Sequence, residues 1–406
     1  MSAPDRAINL SAGPCCLPES VLVEACQGLL NFDGTGIGIA EISHRTPEFV
    51  AYIKEVEDLI RTQLDVPETH TILFAQGGGA LQFSVVVLNL LARHRLLHPD
   101  LPNNERVLDY IVTGWFSEIA INEAARLGGA RTNVVVDARK HSAVNKFDNI
   151  PPHDAYNFSP DPALIFYCEN ETVDGVQFSD GTDPTDPTSF PFHLLPKDKG
   201  LLPLVGDYSS SFMSRPIPRL ADHAVIFASA QKNIGPAGVT VLIVRNDCLV
   251  DVDAAAKLGA APVPHTLAYK TLADNGSLYN TPSVFAIYVT GLVLRHLKAM
   301  GGVKYIDAVN RKKAEKLYAV VKEGVAKGVL RPRVEEGKGR SLMNVVFDFN
   351  ERELQDRFVV SAEAHGIKGI RGHPLVLGTR LSIYNAVTEE QVDTVAAYMQ
   401  AFLAQL

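Results

Sequence analysis

The segment AVIFASAQKNIGPAG, residues 224–238, decides how the rest of the sequence is interpreted. Its first seven residues are apolar or small without interruption, which is typical of a strand covered on both faces of a sheet. Gln231 and Lys232 follow directly, ahead of a Gly-Pro-Ala-Gly turn. Most lysines are solvated surface charges, but the carboxyl end of a buried strand is where open α/β sheets bind ligands. Lys232 is therefore a candidate functional residue.

Similar apolar runs recur along the first 245 residues, with helical patterns between them. The other runs lie at residues 71–76, 109–114, 133–137, 163–170, 202–207 and 239–245. Alternating strands and helices of this kind predict an α/β fold with a mostly parallel, seven-stranded sheet.

The last third of the chain has a different pattern. It predicts a helix at 303–326, an alternating strand within 340–350, a helix near 351–365, a strand at 380–385 and a helix from Glu389. That order is typical of a smaller α+β domain. We therefore expect a large domain at 14–296 and a small domain at 297–406, with residues 1–13 packing beside the small domain. The Pro-, Asp- and Thr-rich stretch 179–200 is interpreted as a long surface insertion.

Length and composition limit the possible functions. A chain of 406 residues exceeds the roughly 250–300 residues at which one core stops growing, which agrees with two domains. The formal net charge of -8 argues against nucleic-acid and membrane partners, because both select a basic surface. The five cysteines match no metal or disulfide pattern, and residues 1–10 lack the apolar core of a signal peptide. We expect a cytoplasmic protein with reduced thiols and no metal.

Asp207 ends the strand LPLVGD, one predicted strand before Lys232. If the two strands are neighbours, both side chains converge at adjacent strand ends. A carboxylate there keeps a pyridine nitrogen protonated while a lysine amine condenses with an aldehyde, as in sites for pyridoxal phosphate (PLP). Taken alone, an Asp after a strand is more often a helix cap or a turn residue. The pair makes PLP the leading hypothesis.

Three further features are ambiguous by themselves. Gly77 to Gly79 join a strand to a helix beginning near Ala80, as in a phosphate site or simply a tight turn. Trp115, the only tryptophan, follows another strand and would stack on a cofactor or pack in the core. Thr172 offers a hydroxyl to a cofactor or caps a turn.

In their order along the chain these segments resemble the phosphoserine aminotransferases. The shared segments are EISHRTPEF (41–49), QGGGALQF (76–83), TGWF (113–116), NETVDG (170–175), GDYSSS (206–211), SAQKNIGPAG (229–238), DNGSLYNTPSVFAIY (274–288) and RLSIYNAV (380–387). They span almost the whole chain. The resemblance implies a PLP-dependent transferase of fold type I.

The resemblance also implies roles for the residues of the cofactor site. Lys232 would form the Schiff base with PLP, Asp207 would bond the pyridine nitrogen, Trp115 would stack on the ring and Thr172 would contact the ring hydroxyl. The phosphate would be held by Gly79, Ala80 and Gln231, and by Asn280 and Thr281 from the other subunit of a homodimer.

For the substrate, the resemblance implies that Arg380 binds the α-carboxylate, a bidentate role suited to guanidinium. His44, Arg45 and His373 would bind the substrate phosphate. Many family members have Arg at the position of Ala80, and family members usually have Arg at the position of Pro374 as well. Loss of the second cation means that Arg371 or Lys368 substitutes for it, or that phosphate recognition is weaker.

The expected reaction converts L-glutamate and 3-phosphohydroxypyruvate into 2-oxoglutarate and O-phospho-L-serine. Two other readings stay open at this point. One is a related enzyme, such as an alanine-glyoxylate aminotransferase or a cysteine desulfurase. The other is a non-catalytic nucleotide-binding module in which Lys232 is incidental. The sequence does not decide whether 4-phosphohydroxythreonine is also a substrate.

Overall fold

A computed structural model of the protein describes residues 6–183, 185–195, 200–374 and 376–406. Within them the strands are β1 (Ile8–Asn9), β2 (His70–Ala75), β3 (Val107–Val112), β4 (Arg131–Asp137), β5 (Leu164–Cys168), β6 (Asn170–Glu171), β7 (Val176–Gln177), β8 (Leu204–Asp207), β9 (His223–Ser229), β10 (Thr240–Arg245), β11 (Leu330–Pro332), β12 (Asn344–Phe349), β13 (Ile367–Lys368) and β14 (Thr379–Ser382). The α-helices are α1 (Glu19–Leu30), α2 (Pro47–Leu64), α3 (Gly78–Leu97), α4 (Trp115–Leu127), α5 (Val252–Lys257), α6 (Tyr269–Asp274), α7 (Val284–Ala299), α8 (Gly302–Ala326), α9 (Arg352–Ala364) and α10 (Glu389–Ala404).

The seven predicted runs form one sheet, in the order β2-β10-β9-β8-β5-β3-β4. Neighbours from β9 to β4 pair in parallel, whereas β10 is antiparallel to both β9 and β2. The reversal of β10 follows from the short connection between Ser229 and Thr240, because a parallel crossover needs a dozen or more residues. The predicted α/β fold with a mostly parallel sheet is confirmed.

Helices cover both faces of this sheet. The cluster of buried side chains on one face draws on α1, α2 and α7, and the cluster on the other face draws on α3 and α4. By length and composition α3 could cross a membrane, but 61% of its apolar window is buried inside the fold. The helices α7 and α8 pass the same test only as a pair, and they bend by 82° at their junction. Burial of α3 to this extent is typical of a core helix.

The C-terminal part of the chain forms a third cluster of buried side chains around the antiparallel sheet β11-β12-β14 and the helices α8, α9 and α10. Strand β1 pairs in parallel with β13, and Leu10 is fully buried in this cluster. Near its start α8 contributes Val303 to the cluster that includes α7, and further along it contributes Leu317 to the third cluster. The helix therefore links the two regions.

The stretch 179–200 is only partly the surface insertion that we expected. Its first half makes three Asp-x-Thr turns in which each Asp side chain accepts from the Thr amide. Its second half is anchored, since Phe190 and Leu195 are buried and the Phe190 ring lies 4.3 Å from that of Tyr167. Burial removes the nonpolar surface of these two side chains from water, which stabilises this part of the fold. Residues 184 and 196–199 lie outside the described residues.

Candidate active site

Two neighbouring strand ends bring Asp207 and Lys232 to one cavity. Asp207 is the last residue of β8, which pairs in parallel with β9, and Lys232 lies in the turn after β9. The cavity has a volume of about 180 Å³. It is lined by Gly79, Ala80, Phe83, Phe116, Cys168, Asn170, Thr172, Asp207, Ser209, Ser210, Ser229, Gln231 and Lys232. Every predicted cofactor residue is among them except Trp115, Asn280 and Thr281.

The amine of Lys232 is set up to react as a nucleophile. Its Nζ atom donates to the carbonyl oxygen of Ala12 at 2.6 Å. Burial, and next the positive charge of Arg380, lower the pKa of Lys232 to about 8. A neutral amine is the form that adds to a carbonyl carbon. Near neutral pH an appreciable share of Lys232 is therefore in the reactive form.

Asp207 supplies a buried acid on the same side of the sheet. Burial raises the pKa of its carboxyl group to about 6, against the opposing effect of its hydrogen bonds with Ser209. One of these bonds is accepted by Oδ1 from the Ser209 amide at 2.9 Å. Near neutral pH the group is mostly a carboxylate, which can hold a proton on a ring nitrogen beside it.

The start of α3 forms a site for an anion. Gly77 and Gly78 have φ angles of 95° and 67°, a region that favours glycine. No side chain caps the helix and no acidic residue lies in its first turn, so the first amides are left for another acceptor. A Cβ atom on Gly79 would lie 3.2 Å from Ser229 Oγ and 3.4 Å from Ser209 Oγ. Amides and hydroxyls therefore converge at this end of the cavity.

The aromatic wall of the cavity is Phe116. Its ring centroid lies 5.9 Å from Lys232 Nζ. Trp115 is half-buried outside the lining and packs on His373, with ring centroids 5.2 Å apart at 44°. Consecutive helix residues point about 100° apart, so the two rings at the start of α4 face different directions. Phe116 lines this cavity, and the stacking role assigned to Trp115 stays a prediction.

Arg380 is a cation without an ion pair to any acidic group in the described part of the chain. It lies on β14, and its Nη1 atom donates to the carbonyl oxygen of Thr172 at 3.4 Å. Its buried Nε atom has no hydrogen-bond partner there. Burial lowers the pKa of Arg380 from its ordinary value, while the carboxylate of Asp174 opposes that shift. A planar guanidinium in this condition suits a substrate carboxylate.

The cations near His373 in sequence are Arg371 and Lys368. Burial and the charge of Arg380 lower the pKa of His373, which favours its neutral form. Arg371 is exposed and pairs with Asp356 at 3.0 Å. Lys368 is exposed on β13. Neither Arg371 nor Lys368 lines the cavity of Lys232, and their role in phosphate binding stays a prediction.

The remaining predicted residues do not line this cavity. His44 is buried, Arg45 is exposed, and neither lines the cavity. Asn280 and Thr281 are exposed, and the carbonyl oxygen of Thr281 accepts from Gln76 Nε2 at 2.9 Å. The chain therefore does not bring these residues to its own Lys232.

The cavity can be tested against PLP, which presents a phosphate, a ring nitrogen, a ring hydroxyl, an aldehyde and an aromatic face. The uncapped first turn of α3 suits the phosphate dianion. The other groups find their matches in Asp207, Thr172, Lys232 and Phe116 respectively. The residues of the site therefore fit the group.

Sequence reasoning missed several lining residues. Phe116 was passed over because the single tryptophan beside it is the more conspicuous aromatic residue. Ser209 and Ser210 stand in the quoted segment GDYSSS, and Ser229 begins SAQKNIGPAG. Small hydroxyl residues at the ends of strands next to a predicted phosphate site are the signal that could have found them.

Known proteins share both the sequence and the fold. The family model for class V aminotransferases matches residues 7–395. A phosphoserine aminotransferase of Desulfotalea psychrophila is 38% identical over 400 residues, which cover 98% of each chain. The solved phosphoserine aminotransferase of Bacillus circulans subsp. alkalophilus has a TM-score of 0.85 at 32% identity, covering 98% of this chain and 99% of its own. The PLP-bound phosphoserine aminotransferase of Trichomonas vaginalis has a TM-score of 0.81 at 32% identity, covering 97% and 100%.

Proposed function

The chain belongs to the phosphoserine aminotransferase family of class V aminotransferases, and we propose that it exchanges an amino group between L-glutamate and 3-phosphohydroxypyruvate. The products are 2-oxoglutarate and O-phospho-L-serine, and the cofactor is PLP. The alternative of an alanine-glyoxylate aminotransferase is not favoured, since the full-length relatives are phosphoserine aminotransferases.

The observation that supports this function best is the convergence of an amine and an acid on one cavity. Lys232 and Asp207 both line it, and the positive charge of Arg380 is close enough to lower the pKa of Lys232. A nucleotide-binding module needs the amides of α3 but has no use for the lysine and the acid together. A transaminase needs all three groups.

When bound, PLP condenses with amines and accepts the electron pair released from the substrate Cα. Lys232 is proposed to hold the cofactor covalently and, once displaced by substrate, to move the proton at Cα. Asp207 keeps a proton on the ring nitrogen. Trp115 is proposed to stack on the ring and Thr172 to contact its hydroxyl, while the first turn of α3 with Gly79, Ala80 and Gln231 binds the phosphate.

Substrate binding is assigned to two sets of residues. Arg380 binds the α-carboxylate, because it is the cation near Lys232 that has no carboxylate partner among the described residues. His373 is proposed to contact the substrate phosphate, together with His44 and Arg45 of the other subunit. Pro374 contributes no charge, so more of that task falls on the cation Arg45.

We further propose a homodimer whose active sites lie at the subunit interface. The support is indirect: Asn280, Thr281 and Arg45 are exposed and do not line the cavity of their own chain. Residues that serve a site across a two-fold axis have this placement in a single subunit. The proposal makes the dimer necessary for activity.

Residues 14–296 and 297–406 are proposed as the large and small domains, with residues 1–13 joined to the small one. The pairing of β1 with β13 and the separate third cluster support this division. A cytoplasmic location is also proposed, in keeping with five free thiols.

The test is turnover of O-phospho-L-serine with 2-oxoglutarate, followed as glutamate formation and compared with L-alanine and glyoxylate as substrates. Lys232→Ala should reduce turnover to background and abolish the visible absorbance of the bound cofactor. Lys257→Ala, at an exposed lysine on α5, is the matched control and should behave as wild type. A colourless wild-type protein, or turnover only with alanine and glyoxylate, would refute the proposal.

A further inference from the structure

A second cavity lies between the N-terminal segment, the junction of α7 with α8, and the turn that leads into α10. Its volume is about 570 Å³, which is within the roughly 300–1,000 Å³ that is typical of small-molecule sites. Among the described residues, none that lines the cavity of Lys232 also lines this one. The second cavity is therefore separate from the proposed active site.

One buried side chain on the wall of this cavity lacks a hydrogen-bond donor. Asn310 on α8 lines the cavity and is only 1% exposed. Its Nδ2 atom donates to the carbonyl oxygen of Ser214 at 3.2 Å and to Oδ1 of Asn385 at 2.9 Å. Its own Oδ1 atom accepts from no group in the described part of the chain. A buried acceptor without a donor costs free energy, so this wall suits an N–H group of a ligand.

Cys16 brings a nucleophile to the same cavity. Its side chain is half-buried and lines the cavity together with Arg6, which donates to the carbonyl oxygen of Leu17 at 3.4 Å. The hydrogen bond with Cys15 has the largest effect on the pKa of Cys16 and lowers it, while burial opposes that shift. The positive charges of Lys313 and Arg6 lower this pKa further. Partly exposed, electropositive surroundings of this kind are typical of reactive thiols.

Lys313 is a buried cation that forms no ion pair within the described ranges. Its Nζ atom donates to three backbone carbonyl oxygens in the turn between β14 and α10, at 2.8 to 3.0 Å. Burial lowers the pKa of Lys313 to about 7, and the charge of Cys16 is the first influence that opposes this shift. A thiolate at Cys16 therefore compensates the charge of the buried lysine.

The two other thiols of the N-terminal region have different surroundings. The Cys15 thiol donates to the carbonyl oxygen of Lys232 and to that of Cys16, the latter at 3.3 Å. Its hydrogen bond with Cys16, together with burial, raises the pKa of Cys15 well above the ordinary value. Cys26 is exposed on α1 and does not line the cavity. Exposure alone predicts that Cys26 reacts first, whereas the local charges predict Cys16.

The charges on the cavity wall indicate a ligand that carries both signs. Arg6 supplies a positive charge for a carboxylate, and Glu389 and Glu390 supply negative charges for an ammonium group. A simple anion or a simple cation would meet a like charge on this wall. A short peptide has an amine, carboxylates and backbone N–H groups, and one of these N–H groups can donate to Asn310.

We propose that this cavity binds a small zwitterionic peptide disulfide and that Cys16 is the residue which the disulfide modifies. The thiolate sulfur of Cys16 attacks one sulfur of the bound disulfide and forms a new S–S bond. The original S–S bond breaks, and the other half leaves as a thiolate that takes a proton from water. The disulfide is itself the oxidant, and a free thiol reverses the step. The modification goes beyond the proposed function and does not depend on it.

Glutathione disulfide is the probe for the experiment. The purified full-length protein is incubated with increasing concentrations of it, and mass spectrometry of the peptides measures the adduct on each cysteine. Cys16 should be modified faster than Cys26, and its rate should reach a plateau because a bound complex forms before exchange. Bis(2-hydroxyethyl) disulfide has no charges or peptide groups, so it should react with Cys16 without a plateau.

Three variants assign the site. Cys16→Ser should abolish the adduct on the peptide that contains both neighbouring cysteines. Arg6→Gln should slow the reaction of Cys16 with glutathione disulfide roughly two- to fivefold, as expected for one exposed charge pair. Arg126→Gln is the matched control, because this exposed arginine does not line the cavity, and it should leave the rate unchanged.

Faster modification of Cys26 than of Cys16 would overturn the proposal, and this comparison is made within one wild-type chain. An adduct that persists on the same peptide in Cys16→Ser would overturn it as well. So would a rate at Cys16 that rises linearly with glutathione disulfide and is the same in Arg6→Gln, since the thiol would then react without a bound ligand.

Discussion

The amine of Lys232 donates a hydrogen bond to the backbone carbonyl of Ala12, across 220 positions of sequence. The next residue, Gly13, lies so close that an added Cβ atom would be 2.8 Å from Cδ and 3.0 Å from Nζ of the lysine. The N-terminal segment therefore forms one wall around the functional amine. Its position decides where that amine can point.

Gly13→Ala should displace Lys232 and weaken PLP binding roughly ten- to a hundredfold, the equivalent of about 1–3 kcal/mol of overpacking. The φ angle of +134° at Gly13 adds backbone strain. Titration of the apoprotein with PLP measures the effect. Gly259→Ala is the control, since Gly259 has a φ of +92° with nothing within 4 Å. An unchanged PLP affinity in Gly13→Ala would show that the contact does not constrain the lysine.

The rate at which apoprotein takes up PLP should depend on pH through Lys232. Its pKa is lowered to about 8, first by burial and then by Arg380, and only the neutral amine reacts. The rate should therefore rise with pH and level off above about 8. The stability of the apoprotein should also rise with pH. The pKa of Lys232 is lower in the folded chain than in the unfolded chain, so its contribution to stability is fully present above the ordinary pKa of lysine and is lost as the pH falls through about 8.

Arg380→Met separates the effect of burial on the pKa of Lys232 from the effect of the Arg380 charge. Removing the positive charge should raise the midpoint of the uptake profile, whereas Arg380→Lys should keep it near the wild-type value. Stopped-flow absorbance at each pH provides the measurement. If the midpoint in Arg380→Met stays where it is in wild type, the cation is not close enough to act on the amine.

The two aromatic residues at the start of α4 should respond differently to substitution. Trp115→Leu should weaken PLP binding roughly two- to tenfold, as expected for an aromatic contact of about 0.5–1.5 kcal/mol, while Trp115→Phe retains most of it. Phe116→Leu keeps an apolar side chain in the cavity lining and should change PLP affinity less. A larger loss of PLP affinity in Phe116→Leu than in Trp115→Leu would give the stacking role to Phe116 instead.

Lys232 and Asp207 at the strand ends could be predicted because the apolar runs before them are unambiguous. A run as apolar as 224–230 is covered on both faces, so the residues that follow it emerge at the sheet edge, and Lys232 could be located from this alone. Asp207 follows by the same reasoning on the adjacent strand. The glycines before α3 also predicted the end of the cavity that is proposed to bind the phosphate.

The cap of α4 could not be predicted in this way. Its first amides donate to Glu171 and Asp174, which belong to a segment more than 50 residues further along the chain. Burial of Phe190 within 179–200 is a similar case, since its partner Tyr167 belongs to a different strand. Long-range contacts of this kind leave no local pattern.

Mixed dimers test the shared active site. A dual-tagged heterodimer of one Lys232→Ala subunit and one Arg45→Ala subunit should have one site with an intact lysine opposite an intact arginine. It should therefore show about half of the wild-type activity, although each parent homodimer is impaired at both sites. Glutamate formation from O-phospho-L-serine and 2-oxoglutarate, measured on the purified heterodimer, gives the result.

The control heterodimer combines Lys232→Ala with Asp207→Ala. Both residues line the cavity of one chain, so neither site in this heterodimer is complete and it should stay inactive. If Arg45 instead served its own chain, the first heterodimer would carry one defect in each site and would be no more active than the Arg45→Ala parent. Recovery in the first pair but not in the second is therefore the outcome that places Arg45 across the interface.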